Sequence, residues 1–381
     1  MLLRSNTSKS WIEISKKSLL HNLGVFQKIV DKDTKIAVVV KANAYGHGIN
    51  EVVSVLRNKV EIFAVDNVDE ALAVRKLDSN KKVIILGYSM PANLKKTIEK
   101  KFSFVVYDIK ILKYIVSLKS SKKALVHIKI ETGLNRQGVE GNELLGILNY
   151  IKKYQKYIFL EGVYTHFANV EDTLNTSYAE QQLKRFGIAL KMVHKEGFNP
   201  PLVHTAASAA TLLFEKSHFS MIRMGIGLYG LWPSRETKIS RSSKKVKISL
   251  MPVLSWKSIV AQVKDLKKGE SVGYGRTWFA QRKSKIAIVP VGYSDGYDRK
   301  LSNNGKVVVE GSFAQVIGRV AMNMIMVDVT DIKNVKAGVA VMIIGSQGEK
   351  QMSADEIAEK IGTINYEVVS RINALLPRKI I

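Results

Sequence analysis

The first two-thirds of the chain alternate two textures, and that alternation restricts the folds open to it. Short runs rich in β-branched residues recur: KIAVVVKA, IFAVDN, KVIILGY, FSFVVYD, ALVHIKIE, FLEGVYTHF, PLVHTAA and MIRMGIGLYG. Amphipathic segments such as NVDEALAVRKL, GNELLGILNYIKKY and SYAEQQLKRFGIALKMVHKEG lie between them. Strands separated by helices imply βαβ units and a parallel sheet. Roughly eight such units in about 240 residues is the size of a (β/α)8 TIM-like barrel. An open, doubly wound sheet is the alternative, but no G-x-G-x-x-G fingerprint follows the first strand.

Past Leu231 the pattern changes. WPSRETKISRSSKKVKIS is polar, Ser-rich and basic, and reads as a linker or an exposed crossing. The runs WKSIVAQVKDL, KIAIVPVGY, KVVVEG, AQVIGRVAMNMIMVDV and AVMIIG then follow one another without intervening helices. They predict a smaller, mainly-β domain. SADEIAEKIG is its one helical pattern, with Ser353 as cap and Glu356 at capping-box spacing. The expected division is a barrel over residues 1–243 and a mainly-β domain over 244–381. About the first 12 residues are candidates to pack with the second domain.

Composition removes several function classes. Among 381 residues, 46% are hydrophobic, which fits a globular chain. There is no cysteine, so disulfides, thiolate metal sites and thiol nucleophiles are excluded. MLLRSNTSKS lacks the apolar core of a secretion signal, and no apolar run approaches the ~20 residues of a membrane helix. A cytoplasmic protein with no membrane partner is expected. The net charge of +26 points toward nucleic acid. Yet the lysines are spread over the whole chain, with no Arg-rich arm, zinc pattern or aromatic-basic signature. Neither a nucleic-acid partner nor a metal is expected.

Polar residues fall at the predicted C-terminal strand ends, where barrel enzymes carry their chemistry. Lys41 ends the apolar run IAVVV. Arg136, His166, Ser208 and Arg223 follow other strands. A lysine in a partly desolvated site can form a Schiff base. Ser208 opens a helix, and with the amides of Gly225 and Ile226 it offers donors to an anion. Tyr45 adds a phenol, and Arg223 can face a ring nitrogen. Pyridoxal phosphate (PLP) asks for such a set.

The motifs VVVKANAYGHG, GLNRQG, THFANVED, SAAT, RMGIGLYG, VGYGRTW, PVGYSDGYDR, GRVAMNM and TINYEVVSRI span essentially the whole chain. In order and spacing it resembles the alanine racemases, PLP-dependent enzymes built as a barrel plus a β domain. The resemblance implies an isomerase that interconverts L- and D-alanine, with Lys41 carrying PLP and Lys41 and Tyr274 as two acid–base groups. It assigns Tyr45, Ser208, Gly225, Ile226 and Tyr366 to the phosphate. Arg223 bonds the pyridine nitrogen, and His166 lies between Arg223 and Tyr274. Arg136 meets the cofactor's ring oxygen and the substrate carboxylate. Tyr293 and the backbone of Met322 help to close the site from the partner subunit of a homodimer, whose Tyr274 reaches Lys41. Lys129 matches a lysine that takes up CO₂ in some members; the plain alternative is a solvated strand lysine. Asn323, Ala207, Glu131 and Gln137 depart from the commoner Asp, Asn, Asp and Leu. A racemase with broader substrates, a related decarboxylase, a non-enzymatic PLP carrier and a basic RNA-binding protein are the other readings. The missing cysteine weighs against the decarboxylase, and the second domain with Tyr274 weighs against the carrier.

Overall fold

A computed structural model describes residues 8–243 and 247–381. The chain divides into two compact units. One comprises Leu19–Ala42 and Val52–Met251. The other comprises Pro252–Ile381 together with Asn43–Glu51 and the chain up to Ser18.

The first unit is a nearly closed (β/α)8 barrel. Its strands are Lys35–Val39, Ile62–Val65, Lys82–Ile85, Ser103–Val106, Ala124–Lys129, Ile158–Tyr164, Leu202–His204 and Met221–Met224. Each pairs in parallel with the next up to Leu202–His204, and Met221–Met224 pairs with Lys35–Val39. The seventh and eighth strands are joined by single bonds instead of a ladder. The Arg223 amide donates to the Ala206 carbonyl at 2.9 Å, and the Val203 amide to Ser220 Oγ at 2.7 Å. The apolar runs became strands because helices cover them. Ile62–Val65 and Ser103–Val106 are buried throughout. Asx caps start several of the covering helices. The Asn67 side chain accepts from the amides of Asp69 and Glu70, and Asp108 accepts from Lys110.

One strand is irregular. Val126 opposes Leu160 while His127 opposes Gly162, so Glu161 is an extra residue in the strand Ile158–Tyr164. A β-bulge re-aims the side chains beside it. Gly162 is the position that tolerates this. A Cβ there would sit 2.2 Å from His127 Nδ1.

The Ser-rich stretch expected as a linker is partly a helix, Arg235–Ser242. Ser234 Oγ caps it by accepting the Thr237 amide at 3.1 Å. Glu236 in its first turn and Arg241 in its last suit the helix dipole, and Thr237 and Arg241 are buried. Residues 244–246, the expected boundary between 243 and 244, and the opening MLLRSNT lie outside the described residues.

The second unit is built on a ten-stranded, mainly antiparallel sheet. Ser10–Ile14 takes part in it, antiparallel to Leu254–Ile259 and parallel to Arg378–Ile380. The strands follow in the order Gln262–Leu266, Ser284–Val289, Ile325–Asp328, Ser312–Ile317, Lys306–Val309, Ala340–Gln347, Leu254–Ile259, Ser10–Ile14, Arg378–Ile380. Lys350–Met352 pairs with Ala340–Gln347 off this path. Ser353 caps the helix Ala354–Ile361 by accepting the Glu356 amide at 3.0 Å, and the Glu356 carboxylate pairs with Lys306 at 2.5 Å.

Gly46 is the tightest point of this unit. Its φ is +79°, and a Cβ would lie 1.8 Å from the Val369 carbonyl oxygen. Arg378 clamps the same residue, with Nε and Nη2 donating to the Gly46 carbonyl at 3.0 and 2.8 Å. Neither the angle nor the contact can be relieved by a side-chain rotation. Gly46→Ala is therefore expected to cost about 3 kcal/mol of stability. Gly187, inside the helix Ser177–Lys195, has nothing within 4 Å of its would-be Cβ. Gly187→Ala should raise stability by about 0.5–1 kcal/mol. Urea denaturation of both variants checks the pair, and equal shifts in midpoint would contradict this reading of the turn.

Candidate active site

The strand Lys35–Val39 delivers Lys41. The Val40 amide donates to the Ala64 carbonyl at 2.8 Å, and the Ala42 amide to Glu70 Oε1 at 2.7 Å. Glu70 Oε2 also accepts the Asp66 amide at 2.8 Å, so one carboxylate ties two strand ends together. Lys41 opens a single helical turn, Lys41–Tyr45, in which Ala42, Asn43, Ala44 and Tyr45 all have φ of 52–54°. The turn is left-handed. Each non-glycine residue in that region costs about 1–2 kcal/mol, so the turn persists only where its surroundings enforce it. Within the second unit, Asn43 Oδ1 accepts the Ile49 amide at 2.9 Å and the Asn43 carbonyl accepts the Gly48 amide at 2.9 Å.

Arg223 is the most heavily bonded group of the barrel unit. It is 4% exposed. Nη1 donates to His204 Nδ1 at 2.6 Å and to the His204 carbonyl at 3.1 Å. Nη2 donates to the carbonyls of Thr165 and Thr205, each at 2.9 Å, and to His166 Nδ1 at 3.2 Å. A guanidinium can only donate, so His166 Nδ1 is an acceptor and its ring proton sits on Nε2. Burial, then the charges of Arg223, Arg136, Lys129 and Lys41, push His166 down to about 3. The imidazole is neutral at physiological pH.

Lys129 is buried, and its Nζ donates to Gln137 Oε1 at 3.4 Å. It is therefore not an outward, solvated lysine. Burial, then Arg136 and Arg223, lower it to about 8. Gln137 Nε2 donates in turn to the Tyr107 hydroxyl at 3.0 Å. Arg136 is exposed on the turn that follows. Burial disfavours the ionised form of Glu131, but amides of Gly133, Asn135, Leu134 and Arg136 donate to its carboxylate and hold it below its ordinary range. Glu131 thus shapes the loop that presents Arg136. Arg223, Arg136, Lys129 and Lys41 thus all act on His166 as positive charges.

Ser208 opens the helix Ser208–Leu213, and Ala207 before it contributes no side-chain cap. Ser208 Oγ accepts the amides of Gly225 at 3.0 Å and Gly227 at 3.2 Å. A hydroxyl has two acceptor sites and one proton. With both acceptor sites filled, Ser208 is left as a donor. The Gly225 amide expected to face an anion is committed to Ser208, whereas Ile226 follows in the short turn Ile226–Tyr229.

The sheet unit presents the remaining candidates. Tyr274 is 74% exposed, between Gly273 at φ 73° and Gly275 at φ 69°. It is not a core tyrosine. Tyr293 is 43% and Met322 55% exposed, and the structure brings their loops together. The Tyr293 amide donates to the Ala321 carbonyl at 3.1 Å, and the Ser294 amide to the Met322 carbonyl at 3.0 Å. Asn323 Nδ2 donates to Ser294 Oγ at 2.7 Å, so an amide at this position closes the same loop pair. The rings of Tyr45 and Tyr366 lie 6.2 Å apart, tilted by 55°.

Sequence reasoning missed Glu70, His204 and the left-handed form of the turn after Lys41. Only the last left a trace, since Asn and Gly in KANAYGHG tolerate positive φ. Among the described residues no group of three or more His, Cys, Asp or Glu side chains could hold a metal ion, and no helix is long and apolar enough to cross a membrane.

Residues 14–233 match the family described as "Alanine racemase, N-terminal domain" and residues 253–380 match "Alanine racemase, C-terminal domain". The alanine racemase of Leptospira interrogans is 39% identical over 380 residues, covering 99% of this chain and 97% of that protein. Alanine racemase 1 of Caldanaerobacter subterraneus is 38% identical over 375 residues, covering 96% and 93%. The crystal structure of alanine racemase from Bacillus anthracis with bound L-Ala-P matches with a TM-score of 0.92 at 33% identity, covering 99% of this chain and 96% of that one. Fold, both family matches and identity along the full length agree: the chain belongs to the alanine racemase family of isomerases.

Proposed function

We propose that the protein interconverts L- and D-alanine, uses pyridoxal 5′-phosphate as its cofactor and acts as a homodimer. What supports this reading is the set of cations acting on His166 together with the Ser208 hydroxyl, which accepts two amides and is left to donate. That donor set fits a phosphate dianion and a carboxylate. When bound, the cofactor supplies a conjugated electron sink that acidifies the α-hydrogen of an amino acid.

The reading gives each residue a task. Lys41 holds the cofactor. Ser208, the Ile226 amide, Tyr45 and Tyr366 serve its phosphate, with Gly225 fixing the serine. Arg223 keeps its proton at all working pH values, so it suits an unprotonated ring nitrogen. Arg136 takes the substrate carboxylate, for which a guanidinium is the apt bidentate partner. Racemisation removes a proton from one face of the α-carbon and returns one to the other, so it asks for two groups. The Lys41 amine is one. Tyr274 is the other; its exposure in a single chain suits a residue that acts in the partner's site. Neutral His166, oriented by Arg223, then faces the phenol through its Nε2 side. Tyr293 and the Met322 loop narrow the same entrance.

The wild-type protein loaded with PLP should convert L-alanine to D-alanine in a chiral assay, and absence of conversion would refute the activity. Tyr274→Phe should lose racemisation in both directions. In deuterated solvent it should still wash out the α-hydrogen of D-alanine, because Lys41 can remove and return it on its own face. L-Alanine should show no comparable exchange. Equal exchange from both enantiomers would remove Tyr274 from its role.

Lys129 carries a second expectation within the same reading. Near pH 8 about half of a group with that midpoint is a neutral amine. Its lone pair can attack the carbon of CO₂, forming an N–C bond while one C=O pair becomes a carboxylate oxygen and the nitrogen's proton leaves to solvent. The cation becomes an anion beside Arg136 and holds the guanidinium by a charge-assisted bond. Protein in labelled bicarbonate should show a carbamate carbon resonance by NMR that Lys129→Ala abolishes. A spectrum without that resonance, or one unchanged by the substitution, would contradict the carbamate.

A further inference from the structure

The barrel interior holds a set of buried polar groups that the proposed chemistry does not use. Buried Ser103, His127, Glu161 and His204, and the partly exposed Lys82 that reaches Glu161, lie on five different strands, and Arg223 lies on a sixth. Lys82 Nζ donates to Glu161 Oε1 at 2.6 Å, and the Ser103 hydroxyl donates to Glu161 Oε2. The strands of Lys82 and Ser103 are not neighbours of Ile158–Tyr164 in the sheet. These bonds therefore cross the inside of the barrel. Lys82 and Ser103 are the first residues of their strands, so Glu161 is anchored at the N-terminal end of the barrel. Arg223, Lys129 and His166 belong to the other end.

Two imidazoles connect the ends. His127 Nε2 lies 3.2 Å from Glu161 Oε2, and His127 Nδ1 lies 2.9 Å from His204 Nε2. His204 Nδ1 lies 2.6 Å from Arg223 Nη1. Only one arrangement of protons satisfies all three contacts when both rings are neutral. Arg223 can only donate, so His204 Nδ1 accepts and the His204 proton is on Nε2. That proton is donated to His127 Nδ1, which leaves the His127 proton on Nε2, donated to the carboxylate. Every bond in the chain points from Arg223 toward Glu161.

We infer that Glu161, His127 and His204 form a positioning relay, in which the Glu161 carboxylate fixes both ring tautomers and through them holds the Arg223 guanidinium in place as a donor. The assignment of Glu161 as a positioning residue for catalysis rests on the proposed function, because it acts through Arg223.

Independent features agree. Burial lowers both histidines, holding them neutral as the relay needs. Burial opposes ionisation of Glu161, but the His127, Lys82 and Ser103 contacts outweigh it and hold the carboxyl at about 2. Glu161 is therefore an anion at neutral pH. The fold is also modified locally to admit the relay. The bulge places Glu161 as the extra residue of its strand, and Gly162 leaves the space that the His127 ring occupies. Val, Ile or Leu commonly fill a barrel interior, whereas polar Ser103, His127, Glu161 and His204 are buried in this one. A buried chain of hydrogen bonds is costly unless complete, and this one is complete from end to end.

Side-chain nitrogen NMR of the protein without cofactor reads the tautomers. His127 and His204 should each carry their proton on Nε2 and show a pyridine-type Nδ1. A proton on Nδ1 of either ring would overturn the relay. Glu161→Gln keeps an acceptor for His127 and loses the charge. It should shift the His204 ring resonances and the Arg223 side-chain N–H resonances. In the loaded enzyme it should lower kcat for alanine about tenfold or more with KM little changed, as expected when a reacting geometry is loosened from a distance. A folded Glu161→Gln protein with unmoved resonances and unchanged kcat would also overturn it. If that variant does not fold, Ser103→Ala removes one bond to the carboxylate and leaves both rings in place. The same resonances should then move, and their failure to move would count against the relay. The NMR arms need no cofactor, so a wild-type protein that did not racemise alanine would refute the proposed function and leave the relay standing.

Discussion

A guanidinium buried in the barrel, that of Arg223, is the constraint on which the site depends. Burying a charge is tolerated only when protein groups replace the lost water. Here the replacement comes from backbone carbonyls at Thr165, His204 and Thr205 and from two imidazoles. The same residue stands on the strand that closes the barrel, where it registers against Ala37 in the strand leading to Lys41. Its amide supplies one of the bonds that join the seventh and eighth strands. Closure of the fold and orientation of the site are thus one arrangement. Loosening Arg223 would disturb both.

The need to hold that cation explains why this barrel is not filled by aliphatic side chains alone. Histidines and a carboxylate occupy part of its interior, and a bulge with an adjacent glycine makes room for them. Such a core is costly to build and leaves few ways to rearrange. Rigidity suits the proposed task, in which a ring nitrogen and an α-carbon must be met from fixed directions. The left-handed turn after Lys41 follows the same logic. It stores strain beside Lys41 and is enforced by bonds to Glu70, Asn43 and Gly46.

The alternation of β-branched runs and amphipathic segments carried the barrel, because each run became one strand in order. The polar residues at strand ends were readable for the same reason: a buried run that stops on Lys, His or Arg has reached a rim. The relay was not readable. His127 could be assigned to the face of Lys129, but its partners Glu161 and His204 come from strands far along the chain. The bulge at Glu161 also shifts the period by one, so simple alternation misplaces the residues on either side of it. The helix Arg235–Ser242 was hidden by its Ser-rich composition, although Ser234 offered a cap. Ser10–Ile14 was expected to pack with the second domain but not as a strand, because so short a segment depends on its partners on both sides, Leu254–Ile259 and Arg378–Ile380, for its strand form. Hydrogen bonds that span the sequence, more than local propensity, decided the relay and the strand Ser10–Ile14.

In the proposed function, attachment of the cofactor at Lys41 is what joins fold and site. Borohydride reduction of the protein loaded with pyridoxal phosphate fixes the pyridoxyl group to whichever amine holds it, and peptide mass spectrometry locates it. The label should lie on the peptide containing Lys41. A label on Lys129 or any other lysine, or no label on a fully loaded protein, would contradict the account.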